Sequence, residues 1–179
     1  MSNCNAENAI AASAIALSYG IAPEAVKAAV ATFEGVKRRL ELHVHTPRLS
    51  YIDDYAHHPA ELATALSSMR DIFPGRRITA IFQPHLYTRT RDFADGFAAS
   101  LSLADKLILL PIYPAREAPI PGVSSELIYR DVTCEKVLLK KEELLDYLAR
   151  EPLDVLVSFG AGDIDRFIAP ITELVKSRL

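Results

Sequence analysis

The chain has 179 residues, half of them hydrophobic and 24% charged, with a formal net charge of -3. That length admits one good core, or one domain with a piece of another. The acidic balance gives no basic field for a nucleic acid, and no apolar run approaches the ~20 residues of a membrane span.

Cys4 and Cys134 have no metal-ligand spacing. Two unpaired thiols in a chain of this size suit a reducing compartment, so a cytoplasmic protein is expected. No basic stretch followed by an apolar one opens the sequence, and no signal peptide is expected. Residues 6–19 are rich in alanine and apolar on nearly every side, which predicts a helix buried on more than one face. Gly20 is its stop, Pro23 opens a second short helix over Glu24–Phe33, and Gly35 ends that one. Two helices with no strand before them cannot close a core. They are expected to be a fragment of a preceding domain, residues 1–36, with a second domain over residues 37–179.

From Leu40 to His45 the pattern alternates with period two and reads as a half-buried strand. His43 and His45 then share a face, most simply a solvated one. Leu49–Asp54 reads as its hairpin partner, with Thr46–Arg48 as the turn. Pro59 sits at a natural first helical position with His58 as a candidate cap, and Leu62, Leu66, Met69 and Phe73 form one stripe of a helix over Glu61–Phe73. Further strands are expected at Arg77–Phe82, Lys106–Leu110, Lys136–Leu139 and Leu153–Phe159. Further helices are expected at Asp92–Leu103, Ser124–Arg130, Lys141–Arg150 and Ile164–Val175. Pro111–Gly122 holds four prolines and reads as a stiff irregular loop. Strands alternating with helices imply an α/β fold with a mostly parallel sheet, and the leading hairpin strand is the antiparallel exception at an edge.

Two polar clusters follow directly on strands: Asp53 to Pro59, and Gln83 to Asp92. In an open α/β sheet ligands bind at the carboxyl ends of strands. Asp53 and Asp54 suit ribose hydroxyls, or simply charge at a helix start. Of His57 and His58, one is expected to cap a helix and one to face a cleft; no third ligand is near enough to suggest a metal. Arg89 and Arg91 suit a carboxylate or phosphate, and cations in a first helical turn are unfavourable unless an anion is present. Arg91 has an alternative partner in Asp92 or Asp95. Gly160-Ala-Gly162 reads as a close strand-to-helix turn, since Asp163 would repel a phosphate. The sequence holds no Gly-x-x-x-x-Gly-Lys loop, no Gly-x-Ser-x-Gly elbow and no plausible catalytic cysteine.

Six pieces together resemble the C-terminal region of the Mur ligases: residues 5–12, 35–39, 53–59, 82–92, 113–122 and 160–164. The Asp-Asp-Tyr-Ala-His-His-Pro and Phe-Gln-Pro-His-Leu-Tyr-Thr-Arg-Thr-Arg-Asp pieces are the most specific. The second favours the member that adds L-alanine over the one that recycles the murein tripeptide. The resemblance implies a Rossmann-like C-terminal domain preceded by the last two helices of a central ATPase domain. It implies ATP-dependent amide ligation through an acyl phosphate, with ATP, L-alanine and UDP-N-acetylmuramate as partners of the whole enzyme. Its phosphate loop, Mg2+ ligands and sugar pocket would lie in domains outside this chain, which alone is expected to be inactive. Carried over residue by residue, Asn5 and Asn8 would contact adenine, Arg39 the nucleotide, and Asp54 the ribose. Tyr55, His57, His85 and Arg89 would form the amino-acid side, with His57, His85 and Arg89 catalytic and Arg89 on the alanine carboxylate. Leu86 and Cys4 depart from the family pattern, which has an arginine and a histidine there in many members. A free-standing nucleotide- or amino-acid-binding module is the rival expectation.

Overall fold

The computed structural model describes residues 3–33 and 35–179, the side chains of residues 3–5 excepted. The chain divides into two compact units, Met1–Lys37 and Arg38–Leu179. In the first, helix α1 spans Asn3–Ser18 and α2 spans Pro23–Ala31. The expected burial of α1 on several faces is not found: none of its described residues is buried, and Ile10 is 69% exposed. Two short helices cannot enclose one another, so their alanine surfaces leave an apolar groove of about 420 Å³ lined by Ala12, Ala16, Val26 and Phe33.

The second unit is built on a six-stranded sheet: β1 (Glu41–His45), β2 (Ser50–Asp54), β3 (Ile78–Phe82), β4 (Lys106–Leu109), β5 (Glu135–Leu138) and β6 (Val155–Phe159). The order is β1-β2-β6-β3-β4-β5, with β1 antiparallel to β2 and every other pair parallel. Helices α3 (Pro59–Ile72), α4 (Tyr87–Asp92), α5 (Ala94–Leu101), α6 (Glu126–Asp131), α7 (Leu144–Arg150) and α8 (Ile168–Lys176) complete it. The four inner strands, β2, β6, β3 and β4, are fully buried because alternate residues serve two cores, while the edge strands β1 and β5 are partly exposed. Ile78, Ala80 and Phe82 pack with Leu62, Leu66, Phe97 and Ile128, from α3, α5 and α6. Ile81, Ile108 and Leu156 pack with Leu144, Leu148, Ile171 and Val175, from α7 and α8.

Three local expectations are corrected. A helix over Asp92–Leu103 is replaced by α4 and α5, because Phe93 breaks the ladder at φ -123 and points its ring out, 42% exposed. His43 and His45 do not share a face: a bulge between Leu42 and Val44 shifts the register. His43 lies against the buried Tyr51 ring, and His45 against Phe73. The last two predicted helices each begin with a 3₁₀ turn, at Lys141–Glu143 and Asp163–Phe167.

At the carboxyl ends, Phe159 of β6 pairs with Asp54 on one side and Phe82 on the other. The ends of β2, β6 and β3 are therefore level. Asp53, wholly buried, fixes this edge: it accepts from Arg38 Nε at 2.9 Å and from Ser158 Oγ at 2.7 Å, and Ser158 meets the Tyr51 hydroxyl at 2.9 Å. Asp53→Ala takes the acceptor from both Arg38 Nε and the buried Ser158 hydroxyl. It is expected to destabilise the 179-residue chain by about 3–5 kcal/mol in urea denaturation, whereas Asp92→Ala, which breaks the exposed Arg91–Asp92 pair, leaves the midpoint unchanged.

Candidate functional site

The site begins at the chain's entry into the second unit. Arg38 and Leu40 both have left-handed backbones, φ 57 and φ 47. Such conformations are strained for side chains with a Cβ and persist only where the surroundings over-determine them. Here the restraints are visible. Arg38 N–H donates to Glu41 at 2.8 Å, Leu40 N–H donates to Asp54 Oδ2 at 2.8 Å, and Tyr55 N–H donates to the Arg38 carbonyl at 2.8 Å. The Arg38 guanidinium bonds Asp53 and the Gly160 carbonyl and lies 5.1 Å from the Tyr55 ring centre. Arg39, held between the two strained residues, is exposed and makes no hydrogen bond or ion pair among the described residues.

Asp54 is 6% exposed, and its two oxygens accept from the amides of Leu40 and Ala56. Burial pushes its carboxyl up, against the pull of those amides and of Arg39. Its visible work is to close the turn after β2, and a ribose would meet only its remaining lone pairs. His58 is the N-cap of α3, with Pro59 behind it. Glu61 reaches back to the amides of His57 and His58, at 2.9 and 3.2 Å. Burial opposes the charge on Glu61, but those amides and the His57 ring hold its carboxyl below the ordinary range.

His57 is thereby left to face the second cluster. Its ring stands edge-on to Tyr55 at 5.3 Å and to His85 at 6.3 Å, and His85 stacks on Tyr113 at 5.7 Å. The structure thus brings Tyr55, His57, His85 and Tyr113 into one row of rings across the ends of β2 and β3. Burial lowers the pKa of His85, and the neighbouring Arg89 and His57 lower it further against the pull of Glu117; the net effect favours the neutral ring. His85 Nδ1 and Arg89 Nη1 are both buried without a hydrogen-bond partner among the described residues.

The dipole argument does not by itself point to an anion at Arg89. Helix α4 has only six residues, Tyr87–Asp92, so Arg89 lies in its first turn and its last alike, and Arg91 lies in the last, where cations are favourable. Arg91 bonds Asp92 at 2.7 Å and is spoken for; Arg89 is not. Gly160 and Gly162 make a close turn, as expected. A Cβ on Gly162 would lie 2.6 Å from Gln83 Oε1 and 2.7 Å from Tyr113. Asp163 is held by Gln83 and Lys141.

Asn8 is an exposed residue of α1 in the first unit, and the side chain of Asn5 lies outside the described residues. Among the described residues no group of three or more His, Cys, Asp or Glu is placed to hold a metal ion. Sequence reasoning missed Arg38, which differs from Arg39 only in its backbone surroundings, and Tyr113 and Glu117, which reach the site from the proline-rich loop.

Residues 38–162 match the family model described as Mur ligase, glutamate ligase domain. The chain is 56% identical over 98% of its length to a UDP-N-acetylmuramate–L-alanine ligase of Parabacteroides distasonis, and covers 38% of that protein. It is similar to the crystal structure of UDP-N-acetylmuramate-alanine ligase from Thermotoga maritima, with TM-score 0.82 and 28% identity, covering all of this chain and 39% of that one. A murein peptide ligase from Psychrobacter arcticus shares the fold, with TM-score 0.66 and 22% identity over 98% of this chain and 37% of that one. The chain thus spans well under half the length of the relatives it matches.

The depressed pKa of His85 sets a pH dependence. Unfolded, the ring takes up a proton near its ordinary value of 6.5; folded, it does so only at lower pH. Its contribution to stability is present above that ordinary value and is lost as pH falls through the folded value. Urea denaturation of this chain and of His85→Gln between pH 7.5 and 5 is expected to show the smaller acid loss in the variant. Equal losses would mean that His85 is not held neutral.

Proposed function

The chain belongs to the Mur ligase family, and we propose that it forms the amino-acid end of the site that joins L-alanine to UDP-N-acetylmuramate. The observation that carries this reading is the pair of buried, unpartnered atoms, His85 Nδ1 and Arg89 Nη1. Leaving such groups unpaired costs about 1–3 kcal/mol each. An α-amino acid brings the two groups they lack: a carboxylate for the guanidinium, and an amine proton for a neutral imidazole in its Nε2–H tautomer. Both atoms are shielded from solvent, so binding includes a local side-chain adjustment.

In this reading ATP activates the UDP-N-acetylmuramate carboxylate as an acyl phosphate in the complete enzyme. This chain's residues bind and orient. Arg89 fixes the alanine carboxylate, and His85 holds the amine with its lone pair toward the activated carbonyl. Tyr55 and His57 wall the cleft. Holding both reactants in one geometry is worth several orders of magnitude in rate. Arg39, exposed and without a partner among the described residues, suits the nucleotide phosphates; Asp54 would use its spare lone pairs on the ribose, and Asn5 and Asn8 the adenine. Mg2+ and the sugar are assigned to residues outside this chain, and the cytoplasm to the reaction. The alternative of tripeptide recycling draws on a relative at 22% identity, which supports the fold alone.

In a complete ligase carrying this domain, Arg89→Ala is expected to raise the KM for L-alanine far more than that for ATP. The loss in kcat/KM for L-alanine should be roughly 30- to 1000-fold, the effect of removing a charge-assisted contact. Arg91→Ala should do much less, because Arg91 is engaged by Asp92. Initial rates with each substrate varied in turn check this. A larger alanine defect in Arg91→Ala would reassign the clamp. Calorimetric titration of this chain with ATP tests the rival of a self-sufficient module, for which tight binding is expected.

A further inference from the structure

Helix α4 carries Arg89 but lacks a cap of its own. Its N-cap residue is Leu86, with φ 75 and no side chain able to accept a hydrogen bond. The first-turn amide of Thr88 nevertheless has a partner. Thr88 N–H donates to Glu117 Oε2 at 3.0 Å, and the Thr88 hydroxyl donates to Glu117 Oε1. Glu117 lies 29 residues away, on the loop that joins β4 to α6. Its own amide closes a turn onto the Pro114 carbonyl at 2.9 Å, and Ala115 inside that turn has φ 50.

The same loop holds the other half of the pair. Tyr113 makes an isolated parallel bridge with His85. Tyr113 N–H donates to Pro84 O at 2.8 Å, Leu86 N–H donates to Tyr113 O at 2.9 Å, and the Tyr113 ring stacks on the imidazole. One loop therefore grips His85 at its start and the helix of Arg89 a few residues later. The spacing between the two unpartnered atoms depends on it.

We propose that Glu117 is a positioning residue for the amino-acid clamp: it caps α4 in trans through Thr88 and so fixes Arg89. This rests on the reading of Arg89 as the carboxylate ligand. Glu117 also lies near enough to His85 to act on it by charge, and the two roles separate chemically. Glutamine at 117 keeps both bonds, accepting from the Thr88 amide and donating to the Thr88 hydroxyl, while losing the charge. Alanine loses everything.

Two measurements test it. In the 179-residue chain, amide exchange at Thr88 and at Thr90, whose amide makes the first bond of the helix to the Leu86 carbonyl, is compared among the parent, Glu117→Ala, Glu117→Gln and Thr88→Val. Losing a helix cap is expected to speed exchange about 10-fold in Glu117→Ala. Thr88→Val, which loses only the hydroxyl bond, should fall between, and Glu117→Gln should stay near the parent. In a complete ligase, Glu117→Ala should raise the KM for L-alanine about 10-fold with the ATP KM and kcat little changed, and Glu117→Gln should restore it. Unchanged exchange in Glu117→Ala overturns the proposal. So does a Glu117→Gln variant that behaves like alanine, which would make charge on His85 the real role. Equal rises in both KM values would make Glu117 a fold residue only. An Arg89→Ala ligase with a normal alanine KM would overturn the clamp itself, and the positioning role with it.

Discussion

Two consecutive carboxylates end β2, an inner strand of the sheet, and both are buried. An unpaired charge there would cost several kcal/mol, so the surrounding chain is arranged to satisfy both. Successive residues on a strand point to opposite faces, and the two carboxylates are met from different sides. Asp53 takes Arg38 and Ser158; Asp54 takes the amides of Leu40 and Ala56. Both sets of partners pull residues 38–41 back against the strand ends. The strained backbones of Arg38 and Leu40 are the consequence, and the exposure of Arg39 follows from the strain. A buried ion pair is weak support for stability in general. Here its effect is geometric: it fixes where the chain enters the domain and which of two adjacent arginines stays available.

The second cluster works differently. The carboxylates of the first are met by the protein itself, while His85 and Arg89 each keep a buried polar atom without a partner among the described residues. His43 Nε2 and Thr79 Oγ1 also lack partners among the described residues, so what singles out His85 and Arg89 is that they neighbour each other at the end of a strand and that one carries a charge. The row from Tyr55 to Tyr113 joins the satisfied cluster to the unsatisfied one. The proline-rich loop holds that row from above, and the glycines after β6 let it sit close. Gly162 is required there because any side chain would occupy the space of Gln83 and Tyr113.

Much of this was legible in the sequence. The stripe of Leu62, Leu66 and Met69, the capping role of His58 behind Pro59, the antiparallel edge strand and the strand-end position of both clusters all follow from local rules. They were readable because periodicity and capping act over a few residues. The split between α4 and α5 was not, since Phe93 fits the helical stripe while its backbone leaves it. The bulge at His43 was hidden for a similar reason: alternation looks unbroken until pairing with β2 shifts it. Arg38 and Arg39 are the same residue type side by side, and only φ decides which is braced. The bond from Glu117 to Thr88 spans 29 residues and obeys no short-range pattern. The bulge and the Glu117 bond depend on contacts between distant segments, which no window of a few residues contains.

The central claim is that the unpartnered atoms of His85 and Arg89 are completed by an α-amino acid. A crystal structure of a complete ligase carrying this domain, with L-alanine and a non-hydrolysable ATP analogue bound, tests it directly. The expected result is the alanine carboxylate on the Arg89 guanidinium and its amine at His85 Nδ1. Alanine bound at Arg39 or elsewhere, with His85 and Arg89 still unpartnered beside it, would contradict it.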